Sequence, residues 1–141
     1  MKIDWQGVFP AVTTQFNADL SINLADTQRV VDALIKDGVT GIIAMGTVGE
    51  NNSLLADEKR TLLKAIVEIV AKRVPVITGI SELTTPLAIA WARAAEALGA
   101  DGLMLLPAMV YVPKIAERVE HFTQVANATT LPVMLYNNPN A

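Results

Sequence analysis

Two short segments carry residue types suited to chemistry. Gly46-Thr47-Val48-Gly49-Glu50 sets a hydroxyl and flexible backbone between two glycines. Successive N–H groups in such a turn can converge on a carboxylate, with the Thr47 hydroxyl and the backbone of Val48 as donors. The same residues would also make a tight turn that feeds the next helix. Tyr136-Asn137-Asn138-Pro139 ends an apolar run with a phenol. A tyrosine hydroxyl both donates and accepts, so Tyr136 can relay protons or simply hold a polar tip at the rim of a core. Glu50 and Asn137 stand beside these hydroxyls as supporting groups, Glu50 as a carboxylate at a helix start rather than a catalytic base.

The single histidine, His121, has Glu117 and Glu120 as helical neighbours and reads as a solvated surface residue. One histidine and no cysteine leave no metal-ligand cluster, disulfide framework or cysteine nucleophile. Neither metal nor cofactor is expected. Trp5 and Trp91 read as packing residues. Eleven Lys+Arg against fourteen Asp+Glu give a net charge of −3, without the basic patch that nucleic acid or an anionic membrane would require. The longest apolar stretch, Leu103 to Pro113, is about half a membrane span and is broken by Pro107. Asp4 and Gln6 interrupt the start where a signal peptide needs an apolar core. A soluble, cytoplasmic protein is expected.

Five apolar runs must position these residues: Val8–Thr13, Gly41–Met45, Val76–Thr78, Gly102–Leu106 and Val133–Tyr136. None alternates with polar residues, so each reads as a parallel strand covered on both faces. Helical spacing fills the gaps. The first helix is capped by Asn23 and stopped by Gly38, and the second runs from about Asp57 to Arg73. The third starts at the Thr85-Pro86 pair and stops at Gly99, and the fourth begins near Lys114.

Alternating strands and helices mean an α/β fold with right-handed crossovers. The unit recurs about every 31 residues, so eight units would need about 250, the size of a closed (βα)8 barrel. A weak repeat supports this: Gly38-Val39-Thr40-Gly41 matches Gly99-Ala100-Asp101-Gly102, and Val74-Pro75-Val76 matches Leu131-Pro132-Val133. A five-strand doubly wound sheet fits the length equally well, though neither GxGxxG nor GxxxxGK[ST] occurs. In both architectures, function belongs beyond the carboxyl ends of the strands, where Thr13-Thr14, the Thr47 turn, Gly79-Ile80-Ser81, Pro107-Ala108-Met109 and Tyr136 all fall.

Taken together, Gly7–Thr14, Gly46–Glu50, Pro75–Gly79 and Leu131–Pro139 resemble the dihydrodipicolinate synthase / N-acetylneuraminate lyase family. The resemblance runs in order along the whole chain. It implies a (βα)8 TIM barrel in which a lysine forms a Schiff base with a 2-oxo acid. By it, Thr47 is the carboxylate-binding and proton-relay hydroxyl, and Tyr136 the proton-shuttling tyrosine. It also implies no cofactor, a small 2-oxo or imino acid as substrate, and a homo-oligomer, commonly a tetramer.

The family's lysine closes the sixth strand, beyond Ala141. The six lysines present, Lys2, Lys36, Lys59, Lys64, Lys72 and Lys114, all lie at the terminus, on helices or at a helix start. Residues 1–141 are therefore expected to be the N-terminal half of one barrel domain, five strands and four helices, unable to form an imine alone. The alternative of another class is a non-catalytic half-barrel that only assembles. Its edges and inner face would be exposed. Val48 replaces the family's second threonine, and Met109 its cross-subunit tyrosine, with Tyr111 two residues away. Those losses point toward a 1-pyrroline-4-hydroxy-2-carboxylate deaminase, with dihydrodipicolinate synthase or a 2-keto-3-deoxy acid aldolase or dehydratase as alternatives.

Overall fold

The computed structural model describes residues 3–108 and 111–138. Helix α1 (Leu24–Lys36) opens on Asn23, whose side-chain oxygen accepts the Asp26 N–H at 2.9 Å. Strand β1 (Ile42–Ala44) follows, then two 3-10 turns, Thr47–Gly49 and Asn51–Ser53, that sequence spacing does not reveal. Helix α2 (Ala56–Val70) stops where Ala71 and Lys72 turn left-handed, three residues before the expected Arg73. Arg73 lies past the end, where its guanidinium caps the Ile69 and Val70 carbonyls and pairs with Asp32 of α1. Strand β2 (Val76–Ile80), helix α3 (Thr85–Ala97), strand β3 (Gly102–Leu105), helix α4 (Ile115–Ala126) and strand β4 (Val133–Leu135) complete the order.

The sheet is parallel with order β1-β2-β3-β4, each strand beside its sequence neighbour. Its faces are covered differently. Ile42, Ala44, Val76, Ile80, Leu103 and Leu105 pack against helical side chains such as Val31, Leu62, Ile66, Trp91 and Val125. The residues between them, Ile43, Ile77, Met104 and Leu106, form a separate cluster with Ile3, Phe9 and Met134, which contains no helical residue. Helices on one face only, with sequential strand order, exclude the doubly wound sheet and leave a section of barrel.

Val8–Thr13 does not form a full strand. Its contact with β1 is a single bridge, Ala11 with Ile43, closed by Val12 N–H to the Ile43 carbonyl and Ile43 N–H to the Pro10 carbonyl, both at 2.9 Å. The next parallel pair would need residue 10 to donate to Gly41, and proline has no N–H. β4 also departs from expectation: it is only partly covered, with Leu135 58% exposed. It pairs with β3 on one side and with no strand on the other among the described residues. The inner face of β1–β3, in contrast, is buried rather than exposed, because Ile3 and Phe9 lie over it.

The internal repeat has a packing reason. Gly38 and Gly99 adopt positive φ just past α1 and α3, where a side chain would be strained. A methyl at Gly41 would collide with the Phe9 ring, and one at Gly102 with Ile3. The second glycine of each copy therefore seats the residue that covers the inner face. The Pro75 and Pro132 carbonyls accept from Ile42 and Leu103, each at 3.0 Å, so each proline opens its strand by pairing with the one before.

Candidate active site

The chain leaves β1 through a strained turn. Met45 (φ +52°) and Glu50 (φ +59°) are left-handed residues with side chains, and they flank the Thr47–Gly49 turn on both sides. Such conformations persist only where surrounding structure imposes them. Four contacts do so here. The Thr14 hydroxyl donates to the Gly49 carbonyl at 2.7 Å, and Gly79 of β2 lies so close beneath that a methyl there would collide with the Met45 carbonyl. The Trp91 indole N–H donates to the Gly79 carbonyl at 3.1 Å, fixing β2 in turn. Asn51 Nδ2 donates to Ser81 Oγ at 2.7 Å, tying the second turn to the loop after β2.

Within the first turn, Gly49 N–H donates to the Gly46 carbonyl and Glu50 N–H to that of Thr47. The amides of Thr47 and Val48 close no bond of this kind among the described residues, and both residues are exposed. Two amides and the Thr47 hydroxyl are thus presented together at the carboxyl end of the sheet, a donor set suited to a carboxylate. Glu50 is the N-cap of the Asn51–Ser53 turn and does not start α2. It joins the two turns, six residues before α2, and the helix-start role belongs to Glu58, whose Oε2 accepts the Leu55 N–H at 2.8 Å.

Tyr136 follows β4 directly, and its N–H donates to the Leu105 carbonyl at 2.9 Å. It is 44% exposed. With Asn137 it lines a cavity of about 260 Å³ whose other walls include Pro107, Arg118 and Phe122. Thr47 and Tyr136 therefore share one rim but follow β1 and β4, three strand spacings or roughly 14 Å apart along the sheet. Pro139 and Met109 lie outside the described residues.

His121 is not on the surface. It is 6% exposed, its Nδ1 lies 2.9 Å from the Thr85 hydroxyl, and Nε2 is buried without a hydrogen bond among the described residues. Burial lowers its pKa below the ordinary 6.5, against a smaller opposing effect of the Leu106 carbonyl. This contact also explains the cap of α3. Thr84, not Thr85, receives the Leu87 N–H, and the Thr85 hydroxyl serves His121 instead. Trp91 does more than pack, through its bond to Gly79. Lys59 is buried on α2, 2.6 Å from Glu82, and so is no strand-end nucleophile. Among the described residues there is no group of three or more His, Cys, Asp or Glu able to hold a metal, and no helix long and apolar enough to cross a membrane.

The family model for the dihydrodipicolinate synthetase family matches residues 4–141. The chain belongs to that family, a family of lyases. A 4-hydroxy-tetrahydrodipicolinate synthase of Halalkalibacterium halodurans is 37% identical over 138 residues, 98% of this chain and 47% of that protein. The Neisseria meningitidis enzyme of the same name is 38% identical over 134 residues, 95% of this chain and 46% of its own length. A prophage protein of the dihydrodipicolinic acid synthase family from E. coli K12, solved with pyruvate, superposes with a TM-score of 0.92 at 35% identity, over 96% of this chain and 45% of that one. The chain spans about half the length of the curated relatives it matches. In this dihydrodipicolinate synthetase family member, the parallel sheet with helices on one face is a partial TIM barrel.

Proposed function

We propose that this chain is the N-terminal half of a (βα)8 barrel enzyme that joins a 2-oxo acid to a lysine as a Schiff base, as a 4-hydroxy-tetrahydrodipicolinate synthase would. The observation that carries the reading is the strained turn presenting the Thr47 hydroxyl with the Thr47 and Val48 amides. A 2-oxo acid carboxylate seated there would keep its carbonyl carbon near the rim that Tyr136 shares. Imine formation needs protons delivered to, and removed from, a carbinolamine. Tyr136 and Thr47 are the two hydroxyls that can carry them without a charged side chain. The lysine comes from the other half of the barrel.

The names of the relatives favour the synthase over the expected hydroxyimino-acid deaminase, and the pyruvate complex of the prophage protein favours pyruvate as the 2-oxo acid. Val48 weighed toward the deaminase through a lost hydroxyl, but its backbone amide can take that hydroxyl's place. A homo-oligomer, a tetramer in the cytoplasm, belongs to the same proposal.

The test is intact mass before and after borohydride reduction with pyruvate. The 15.1 kDa chain should show no adduct alone. Joined to a relative's C-terminal half it should show one, and Thr47→Val or Tyr136→Phe should slow its appearance by about 10²-fold or more. Assembly with a soluble, folded product but no adduct would favour the non-catalytic half-barrel.

A further inference from the structure

We propose that Ser81, acting through Asn51 and Asn52, is the positioning residue for Thr47; this rests on the carboxylate-site reading above. The turn's backbone is held, but the Thr47 side chain is not anchored directly. It makes no hydrogen bond among the described residues, and its position follows from the turn it begins and the Asn51–Ser53 turn that follows. Among the described residues, the side-chain hydrogen bonds that tie the second turn to the rest of the fold all go to Ser81. Ser81 Oγ accepts from Asn51 Nδ2 at 2.7 Å and donates to Asn52 Oδ1 at 2.6 Å, and the Ser81 carbonyl accepts from Asn52 Nδ2 at 2.9 Å. One serine thus holds two consecutive side chains of the turn.

The anchor is itself held independently of the turn. Glu82, the next residue, makes a 2.6 Å ion pair with Lys59 of α2, with side chains only 17% and 8% exposed. α2 begins directly after the turns, so turn, loop and helix form a closed triangle around Ser81. Asn51 is 1% exposed and its Oδ1 has no hydrogen-bond partner among the described residues. A buried amide with one half unsatisfied is costly. Its other half holds Ser81, which a positioning role requires and a space-filling role does not.

The experiment uses the 141-residue chain with pyruvate as probe, followed by amide chemical shifts and amide hydrogen exchange. Pyruvate should shift the Thr47 and Val48 amides in a saturable way. Ser81→Ala should weaken that binding about fivefold to tenfold. It should also speed exchange at Gly49, Glu50 and Ser53 while leaving Leu98 and Asn127, which close α3 and α4, unchanged. Ser81→Thr should restore both. Should Ser81→Ala fail to fold, Asn52→Ala, at an exposed position, removes two of the three bonds and must give the same pattern. Saturable shifts in the parent with equal affinity in both variants overturn the positioning role alone. No shift at Thr47 and Val48 in the parent overturns the carboxylate reading and the positioning role with it.

Discussion

The turn after β1 and the segment after β4 reach the same rim by different means. Around Thr47, the floor is fully buried, a glycine is required beneath, and Thr14, Trp91 and Ser81 each fix a different point. Around Tyr136, β4 has one strand neighbour, Leu135 is largely exposed, and a backbone bond to Leu105 is the closest restraint. The contrast shows which half of the proposed site this chain builds by itself. A carboxylate cradle needs fixed amides, and those are over-determined here. A proton shuttle needs a hydroxyl held within reach of its target, and among the described residues the Tyr136 side chain has no comparable restraint.

The largest expected effect separates the two strands. Ile77→Ala in β2 should cost about 2–5 kcal/mol, because it empties a wholly buried position. Leu135→Ala in β4 should cost less than about 1 kcal/mol. Equal losses in denaturant titrations would mean that β4 is covered in solution. Next, Gly79→Ala should cost about 1–3 kcal/mol and displace the amide signals of Thr47, since its methyl must push the Met45 carbonyl. An unchanged Thr47 amide would show that Gly79 does not support the turn.

Thr14→Val should cost about 1–3 kcal/mol, leaving the buried Gly49 carbonyl without its donor. Tyr136→Phe should leave the melting temperature unchanged, because its surroundings are half solvent. A pH-dependent effect lies beside β3, where α4 carries His121. Its pKa is lowered by burial, so as pH falls the unfolded chain takes the proton first. The stability this contributes is complete above about pH 6.5 and is lost as pH drops toward the depressed folded value. His121→Gln should flatten that part of a stability–pH profile, and an unchanged slope would mean the imidazole is solvated.

Much of the fold was legible in the sequence. Strand positions follow from apolar runs, and α1 from Asn23 and Gly38, because local hydrogen bonding and backbone sterics decide them. The candidate hydroxyls were legible too, through glycines around Thr47 and an apolar run ending in Tyr136. For His121 the sequence misleads, because two acidic neighbours say nothing about what packs over the other side of the helix. Thr14 and Ser81 were visible as strand-end residues, but neither advertised a partner 35 or 30 residues away. Pro10 was visible as well, and its missing N–H foretold the broken first strand to anyone who knew the register.

The sequence by itself therefore determined the alternation of elements, the start and stop of α1, the lack of thiols in residues 1–141 and the two hydroxyls worth attention, all properties of short windows. The tertiary structure decided the rest. It put the helices on one face, buried the inner surface under Ile3 and Phe9, and imposed left-handed backbone on Met45 and Glu50. Those outcomes depend on contacts between distant residues, where burial and close approach set the energy and no local pattern records the partner.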